Sequence, residues 1–373
     1  MNIGIPKEFY IEEKRISITP QGVHTLIDHG HSIFIEKSAG DHCFFNDKDF
    51  QNVGATIVYS REEAFKRSDL ILKVMPPTED ECDLLNSGQI LLSFLQLGLC
   101  NRTIFDKVLA KKVTTIGTQL IGDDQGRRPL LEAMGEIAGS MLPQIAGHFL
   151  ECTHGGRGST ISGFPGIPPA SVIILGAGHV GVNAAAAFKA LGADVVVLDV
   201  SLQQLRHVDQ YFRKQVLTAI SNSFNIERAL RYADVVIGTA YEFGKQPPVL
   251  VTKRQISLMK KGSLLIDVAI DQGGCFETSR PTTLSQPTFI EEGIVHYCVP
   301  NILASVARTS SRAINNVITP FVLEIADHGF EKALSNMPEI VNGVLTHDGY
   351  CNHDHIAKIF NLPYKKIIDN KME

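Results

Sequence analysis

SVIILGAGHVGVNAAAAFKALGADVVVLDV, residues 171–200, reads as strand, glycine turn, helix and strand, and its second strand ends on an acidic residue. The apolar run Val172 to Leu175 fits a strand buried on both faces. Gly176, Gly178 and Gly181 then fall at the G-x-G-x-x-G spacing that opens a helix. The first glycine allows the sharp turn, the second lets backbone approach a pyrophosphate, and the third lets helix and strand pack closely. The first residues of the helix, His179, Val180 and Gly181, offer unpaired N–H groups and a positive dipole end to the phosphates. A second apolar run, Val195 to Leu198, delivers Asp199 to a strand tip. A carboxylate there takes the two hydroxyls of an adenine ribose and repels a 2′-phosphate, so the expected cofactor is NAD rather than NADP. A glycine-rich turn in an ordinary α/β domain needs no ligand. Here the strand before, the helix after and Asp199 all agree on a dinucleotide site.

Working outward, the same alternation recurs on both sides. Asn2 to Ile5, Ser32 to Ile35, Thr56 to Tyr59, Leu70 to Val74, Ile90 to Leu95 and Val113 to Ile116 read as strands, with helical patterns such as Gln21 to Asp28 and Arg102 to Lys111 between them. Strands alternating with helices point to an α/β fold with a second, mostly parallel sheet. A long helical pattern from about Pro129 to about Glu151 contains Pro143, which should kink it at a cost of about 3 kcal/mol unless neighbours relieve it. Gly155 to Pro169 is a glycine- and proline-rich connector. Beyond Asp199, the runs Val235 to Ile237, Leu264 to Asp267 and Val295 to Val299 continue the nucleotide-binding sheet. Arg312 to Asp327 reads as a helix closed by Gly329 that carries the chain back to the first lobe. The expected division is therefore a discontinuous substrate domain, residues 1–128 plus 306–373, and a dinucleotide domain, residues 129–305.

Composition bounds the class. The chain has 373 residues, 44% hydrophobic and 20% charged, enough for two ordinary domains with large cores. A net charge of −5 without any run of Lys or Arg argues against nucleic acid or an anionic membrane as a partner. The seven scattered cysteines form no C-x-x-C and suit reduced thiols in the cytoplasm. The N-terminus lacks the apolar core of a signal peptide, and no run is long enough for a membrane helix.

Outside the glycine turn, four places look chemical. Arg15, near Pro6-Lys7-Glu8, either forks onto a carboxylate or stands as a solvated surface arginine. Lys73 ends an apolar strand just before Pro76-Pro77, where parallel sheets display functional groups, and a buried amine there loses basicity or gains an anion partner. Asp267 and Asp271 flank an apolar triplet that includes Val268, followed by two glycines. A strand leaving the core puts Asp271 near the nicotinamide, although Asp-Gln-Gly-Gly is also good turn chemistry. Asn301 follows the strand HYCVP and can donate an amide to cofactor or substrate. Ser221 and the pair Gly238-Thr239 are placed to lie along ribose or nicotinamide. His347, His353 and His355 lack metal-ligand spacing with a carboxylate and read as solvent-facing, so no metal is expected.

These motifs together resemble the alanine dehydrogenase family, which is related to the NAD-binding subunit of proton-translocating transhydrogenase. The resemblance runs through IGIPKE (Ile3 to Glu8), RISITPQGV (Arg15 to Val23), the Lys73 segment, GGRG (Gly155 to Gly158) and GFPGIPPA (Gly163 to Ala170). It continues through the glycine fingerprint, DVVIGTA (Asp234 to Ala240), IDVAIDQGGCFETSRPTT (Ile266 to Thr283) and HYCVPN (His296 to Asn301). The IDQGGCFETSRPTT match favours alanine dehydrogenase over the transhydrogenase subunit. The resemblance implies two Rossmann-like, doubly wound domains with mostly parallel sheets, a homo-hexamer, and NAD-linked interconversion of L-alanine with pyruvate and ammonia. It also implies that Arg15 and Lys73 hold the substrate carboxylate and polarise its carbonyl. Asp271 would move protons, and Asn301 would sit near both ligands.

The chain departs from the family pattern at defined positions. Gln96 stands where the family has a histidine, and an amide cannot titrate near neutral pH. Thr118-Gln119 replaces a Tyr-Glu pair, Gly135 a serine, and Ile302 a methionine. The alternatives to alanine dehydrogenase are accordingly a relative acting on another amino or 2-keto acid, and an NAD(H)-binding protein without turnover.

Overall fold

Buried strands order themselves into two sheets in a computed structural model that describes residues 1–94, 100–240 and 248–367. Packing divides the chain into two compact units: Met1–Met134 with Ala304–Glu373, and Gly135–Leu303. The strands of the first unit are β1 (Asn2–Ile5), β2 (Ser32–Glu36), β3 (Thr56–Val58), β4 (Leu70–Leu72), β5 (Ile90–Ser93), β6 (Thr114–Gly117), β14 (Val344–His347) and β15 (Tyr350–Cys351). They form one sheet in the order β15-β14-β6-β5-β4-β1-β2-β3. Strands β1 to β6 pair in parallel, while β14 runs antiparallel to β6 and to β15. The central strands are mostly apolar because both faces of the sheet are covered: all three residues of β4 and all four of β5, Ser93 included, are buried.

The second unit holds β7 (Ser171–Leu175), β8 (Asp194–Asp199), β9 (Leu217–Ile220), β10 (Val235–Gly238), β11 (Leu264–Asp267), β12 (Thr288–Glu291) and β13 (Ile294–Tyr297), in the order β12-β13-β11-β10-β7-β8-β9. Only β12 is antiparallel among the described strands of this sheet. Side chains alternate across it, and both faces are cores. Val172, Ile174, Val195, Val197, Val235 and Ile237 pack into one, while Ile173, Leu175, Val196, Leu198 and Val236 pack into the other. The chain builds outward from β7 on one side through β8 and β9, then returns to place β10 on the other. That reversal is a switch point, and ligands bind outside the carboxyl ends of such strands. The register aligns those ends: Leu175 lies beside Leu198 and Gly238, and Gly238 beside Asp267. Gly176, Asp199, Thr239 and Val268 therefore lie side by side at the carboxyl ends of these strands.

The fold is α/β, two-domain and Rossmann-like, with mostly parallel sheets. The helix Pro129–Phe149 runs without interruption through Pro143. The helix Ala307–His328 ends where Gly329 takes φ 81°, a positive value that glycine adopts at little cost. No described helix is long and apolar enough to cross a membrane.

Candidate active site

At the glycine turn each glycine has its own physical reason. Gly176 takes φ 115°, and its N–H donates to Leu198 O at 2.8 Å, so the turn is tied to β8. A Cβ on Gly178 would meet nothing within 4 Å, which leaves open space in front of the helix His179–Ala190. A Cβ on Gly181 would come within 2.0 Å of Gly176 O, so only glycine allows this closeness of turn and helix. No side chain caps that helix, whose first N–H groups point toward the open space with its positive dipole end. The open space and the uncapped helix end together fit a dinucleotide pyrophosphate.

The neighbouring residues frame the turn. Thr239 Oγ1 donates to Leu175 O and Gly176 O, both at 3.1 Å. Asp199 accepts from Ala177 N and Ser201 N, each at 2.7 Å, one on each carboxylate oxygen. It thus locks the turn to β8 with half of its four acceptor sites and keeps the rest. Ser221 N donates to the Asp199 carbonyl at 2.9 Å, and Val268 N to Gly238 O at 3.0 Å. Gly238 is a packing residue, since a Cβ there would come within 2.2 Å of Cys275 Sγ.

A second glycine pair went unread in the sequence. A Cβ on Gly135 would lie 2.9 Å from His179 Cβ, and one on Gly139 would lie 2.6 Å from Ala184 N. Their G-x-x-x-G spacing puts both on one face of the helix Pro129–Phe149, which presses against the helix that opens at the glycine turn. Gly139→Ala is expected to lower stability by about 1–3 kcal/mol through overpacking, measured as a fall in the urea midpoint at unchanged slope.

The two aspartates of the DVAIDQGG segment separate in role. Asp267 is buried and accepts from Ser279 Oγ at 2.5 Å, Cys275 N at 3.0 Å and Ala269 N at 3.1 Å. Desolvation raises its pKa and these donors oppose the rise, so Asp267 organises the turn. Asp271 lies in the one-turn helix Ile270–Gln272, followed by Gly273 and Gly274 at positive φ. It is exposed, yet enough protein surrounds the carboxyl for desolvation to raise its pKa. Asn301 adopts φ 55°, a left-handed conformation that asparagine tolerates better than most residues, and is half-buried.

In the first unit the expected residues sit in a buried ionic cluster. Arg15 is 6% exposed and forks onto Glu13, with Nε–Oε1 at 2.8 Å and Nη2–Oε2 at 2.7 Å. It is no solvated surface arginine. The Lys73 side chain is fully buried, 3.2 Å from Glu8 and 3.0 Å from Glu81. Burial works against its charge, but Glu8 and Glu81 outweigh burial and hold the pKa above the ordinary lysine value. Lys73 is therefore a charged donor at neutral pH. Burial pushes Glu8 the other way for a carboxylate, above its usual range, with Lys73 only partly compensating and Glu13 adding to the rise. Arg61 closes the cluster 3.4 Å from Glu81.

Strand register explains the convergence. Gly4 of β1 pairs with Ile71 of β4, so Glu8 and Lys73 both emerge at the carboxyl end of the same strand pair. The Arg15 segment is anchored from elsewhere. Ile16 N donates to Ser311 Oγ at 2.9 Å, Thr19 N to Asn315 Oδ1 at 3.0 Å, and Ser17 Oγ to Leu72 O at 3.1 Å. Glu13, Glu81, Ser311 and Asn315 are bonding partners of these residues that the sequence reading missed. Only the Thr78-x-x-Glu81 capping-box spacing at the start of the helix Glu79–Leu84 marked Glu81 as a residue tied back to the chain. Gln96 lies outside the described residues.

The C-terminal histidines are less exposed than expected. His347 is half-buried, bonds Thr114 Oγ1 at 2.9 Å and packs on the Phe330 ring, while His353 and His355 are also half-buried.

The comparisons with known proteins bear on the whole chain. Residues 4–138 match the family model "Alanine dehydrogenase/PNT, N-terminal domain" and residues 143–354 match "Alanine dehydrogenase/PNT, C-terminal domain". An alanine dehydrogenase of Mycobacterium tuberculosis (strain CDC 1551 / Oshkosh) is 40% identical over 364 residues, 98% of either chain. One from Methanococcus maripaludis is 39% identical over 365 residues, again 98% of each. A solved L-alanine dehydrogenase superposes with a TM-score of 0.92 at 36% identity, covering 97% of this chain and 99% of that one. A transhydrogenase from Sinorhizobium meliloti shares the fold, with a TM-score of 0.81 at 21% identity over 95% of this chain and 99% of its own. On this ground the chain belongs to the alanine dehydrogenase/PNT family.

Proposed function

We propose that the chain is an NAD-dependent L-alanine dehydrogenase, converting L-alanine and water to pyruvate and ammonium, and running in reverse as a reductive amination. One observation carries the reading: two buried cations, Arg15 and Lys73, each keep donors beyond those their carboxylate partners use. The glycine turn, Asp199, Ser221, Thr239 and Val268 would hold NAD, which would supply the hydride acceptor. Glu13 takes two of the five guanidinium N–H groups of Arg15, and the remaining corner suits a substrate carboxylate. Glu8 and Glu81 take two of the three Lys73 protons, and the third points a hydrogen bond at the substrate carbonyl oxygen. A protonated lysine there draws charge from the carbonyl carbon of pyruvate, so ammonia adds to it and water leaves, giving the imine that takes the hydride. In the other direction alanine gives up its hydride first, water adds to the imine carbon and ammonia departs. Asp271 takes the proton of the attacking water and returns it in the reverse reaction, and its raised pKa brings it closer to working pH. Asn301 fixes ligand orientation with its amide.

The test is a substrate panel. NADH formation is followed with L-amino acids at alkaline pH, and NADH oxidation with ammonia and 2-keto acids. Alanine and pyruvate are expected as the best pair. A different best pair would move the chain to another substrate, and NADH binding without any turnover would remove it from the enzymes. Asp199→Ala is expected to weaken NADH at least tenfold and to narrow the preference over NADPH, read by fluorescence titration. An unchanged preference would overturn the ribose assignment.

Three further proposals rest on the family likeness. The unit Gly135–Leu303 is the NAD domain and the discontinuous unit is the substrate domain. The chain works in the cytoplasm. It assembles as a homo-hexamer, which light scattering on the purified protein tests directly.

A further inference from the structure

Among the described residues, one group of three metal-capable side chains has all its donor atoms within 4.8 Å of one another: His148, Glu151 and His154. His148 sits in the last turn of the helix Pro129–Phe149, and His154 ends the one-turn helix Cys152–His154. A repeat of three through a helix end and a tight turn puts the three side chains on one side. The backbone beneath them is fixed. Glu151 N donates to His148 O at 3.3 Å, His154 N to Glu151 O at 3.1 Å, Gly156 N to Glu151 O at 3.0 Å and Gly158 N to Leu150 O at 2.8 Å. The loop lies so close that a Cβ on Gly156 would come within 2.3 Å of Phe149 O.

The side chains already face one another. The two imidazole rings lie 3.9 Å apart between centroids, and Glu151 Oε2 is 3.5 Å from His154 Nδ1. Thr153 Oγ1 donates to Glu151 Oε2 at 3.3 Å, an outer hydrogen bond of the kind that orients a ligating carboxylate. The cluster also stands at the carboxyl end of a 21-residue helix, whose negative pole favours a cation.

We propose that His148, Glu151 and His154 bind a divalent cation of the zinc class, with water completing the coordination. Two imidazoles and one carboxylate suit zinc and its borderline neighbours, whereas calcium and magnesium prefer oxygen alone. Zinc bonds of about 2.0–2.1 Å keep tetrahedral donors about 3.4 Å apart, which small rotations of these side chains reach. The ion is structural. Gly135 packs on the nucleotide turn, and His148 follows it by thirteen positions, about 20 Å along the helix axis. The cation clips the end of that helix to the connector that leads into β7.

Isothermal titration of chelator-treated full-length protein with zinc chloride tests the site. One zinc per chain is expected, with affinity at least tenfold weaker in His148→Ala and in His154→Ala. Cys152→Ser, which changes the exposed neighbouring thiol, should bind as the unaltered chain does. Zinc should raise the Tm of the unaltered chain and leave that of the two histidine variants in place, and equal NADH binding by all variants shows that they are folded. No zinc binding, equal affinity in the histidine variants, or a thiolate-to-metal absorption band with cobalt in place of zinc would each overturn the proposal.

Discussion

Lys73→Met is expected to lower kcat/KM by about 10²–10³ and to destabilise the protein by about 3–5 kcal/mol at neutral pH. The kinetic loss would follow from removing the donor proposed to face the carbonyl oxygen. The stability loss has a separate origin. Glu8 and Glu81 are 6% and 1% exposed, and without the ammonium they would face each other in the interior with only Arg61 close to Glu81. The pH dependence separates this from loss of packing. The folded-state pKa of Lys73 is raised, so its contribution is complete below the unfolded value of about 10.4 and fades as pH rises through the folded one. The unaltered cluster therefore holds into alkaline solution. In the variant, Glu8 has a raised pKa and only Arg15, already forked onto Glu13, to oppose it, so the folded state binds a proton that the unfolded state releases. The variant should regain stability relative to the parent as pH falls from 7 toward 5. Urea midpoints at both pH values measure this, and a deficit independent of pH would leave only a packing effect.

The second large effect comes from two alanines three positions apart. Gly178→Ala should fold with near-normal stability, because its φ of −76° suits any residue and the new Cβ meets nothing within 4 Å. It should nevertheless lose NADH affinity by more than tenfold, since the methyl fills the space where pyrophosphate would approach. Gly181→Ala should fail differently. Its Cβ would press within 2.0 Å of a backbone oxygen that cannot rotate away, so the helix must retreat from the turn. About 1–3 kcal/mol or more of stability is at risk, together with cofactor binding. Calorimetric Tm and NADH titration on the same samples separate the pair. Equal Tm losses in both variants would contradict the division of roles.

Much of this was legible because strong local signals coincide with buried strands. The runs at Asn2–Ile5 and Leu264–Asp267 appear as strands with the expected limits, since continuous apolar residues bounded by breakers leave little choice. Strands such as β9, β12 and β15 were missed because they are short and partly exposed, so neither length nor periodicity marks them. The glycine turn was readable down to the sharp bend at Gly176 and the close packing at Gly181, because its residues are contiguous. The ionic cluster was only half readable. Arg15 and Lys73 stood out as lone cations in apolar settings, but Glu13 and Glu81 look like ordinary surface acids in EEK and TEDEC. What turns them inward is the convergence of separate strand ends, which no local window contains. The packing face of Gly135 and Gly139 escaped for the same reason, because its partner helix begins forty residues later.

The bonds from Ile16 to Ser311 and from Thr19 to Asn315 join residues 295 and 296 positions apart. Ribosomes lengthen a chain by about 5–20 residues per second, so the arm that carries Arg15 waits roughly 15–60 seconds for its anchor. During that interval the contiguous unit Gly135–Leu303 emerges whole and can fold, while the N-terminal strands remain without their closing helix. Nascent chains arrested so that Leu303 has left the exit tunnel but Ser311 and Asn315 have not should resist protease across the glycine turn and be cut near Arg15. Birth order would then ready the unit Gly135–Leu303 first and assemble the arm that carries Arg15 last.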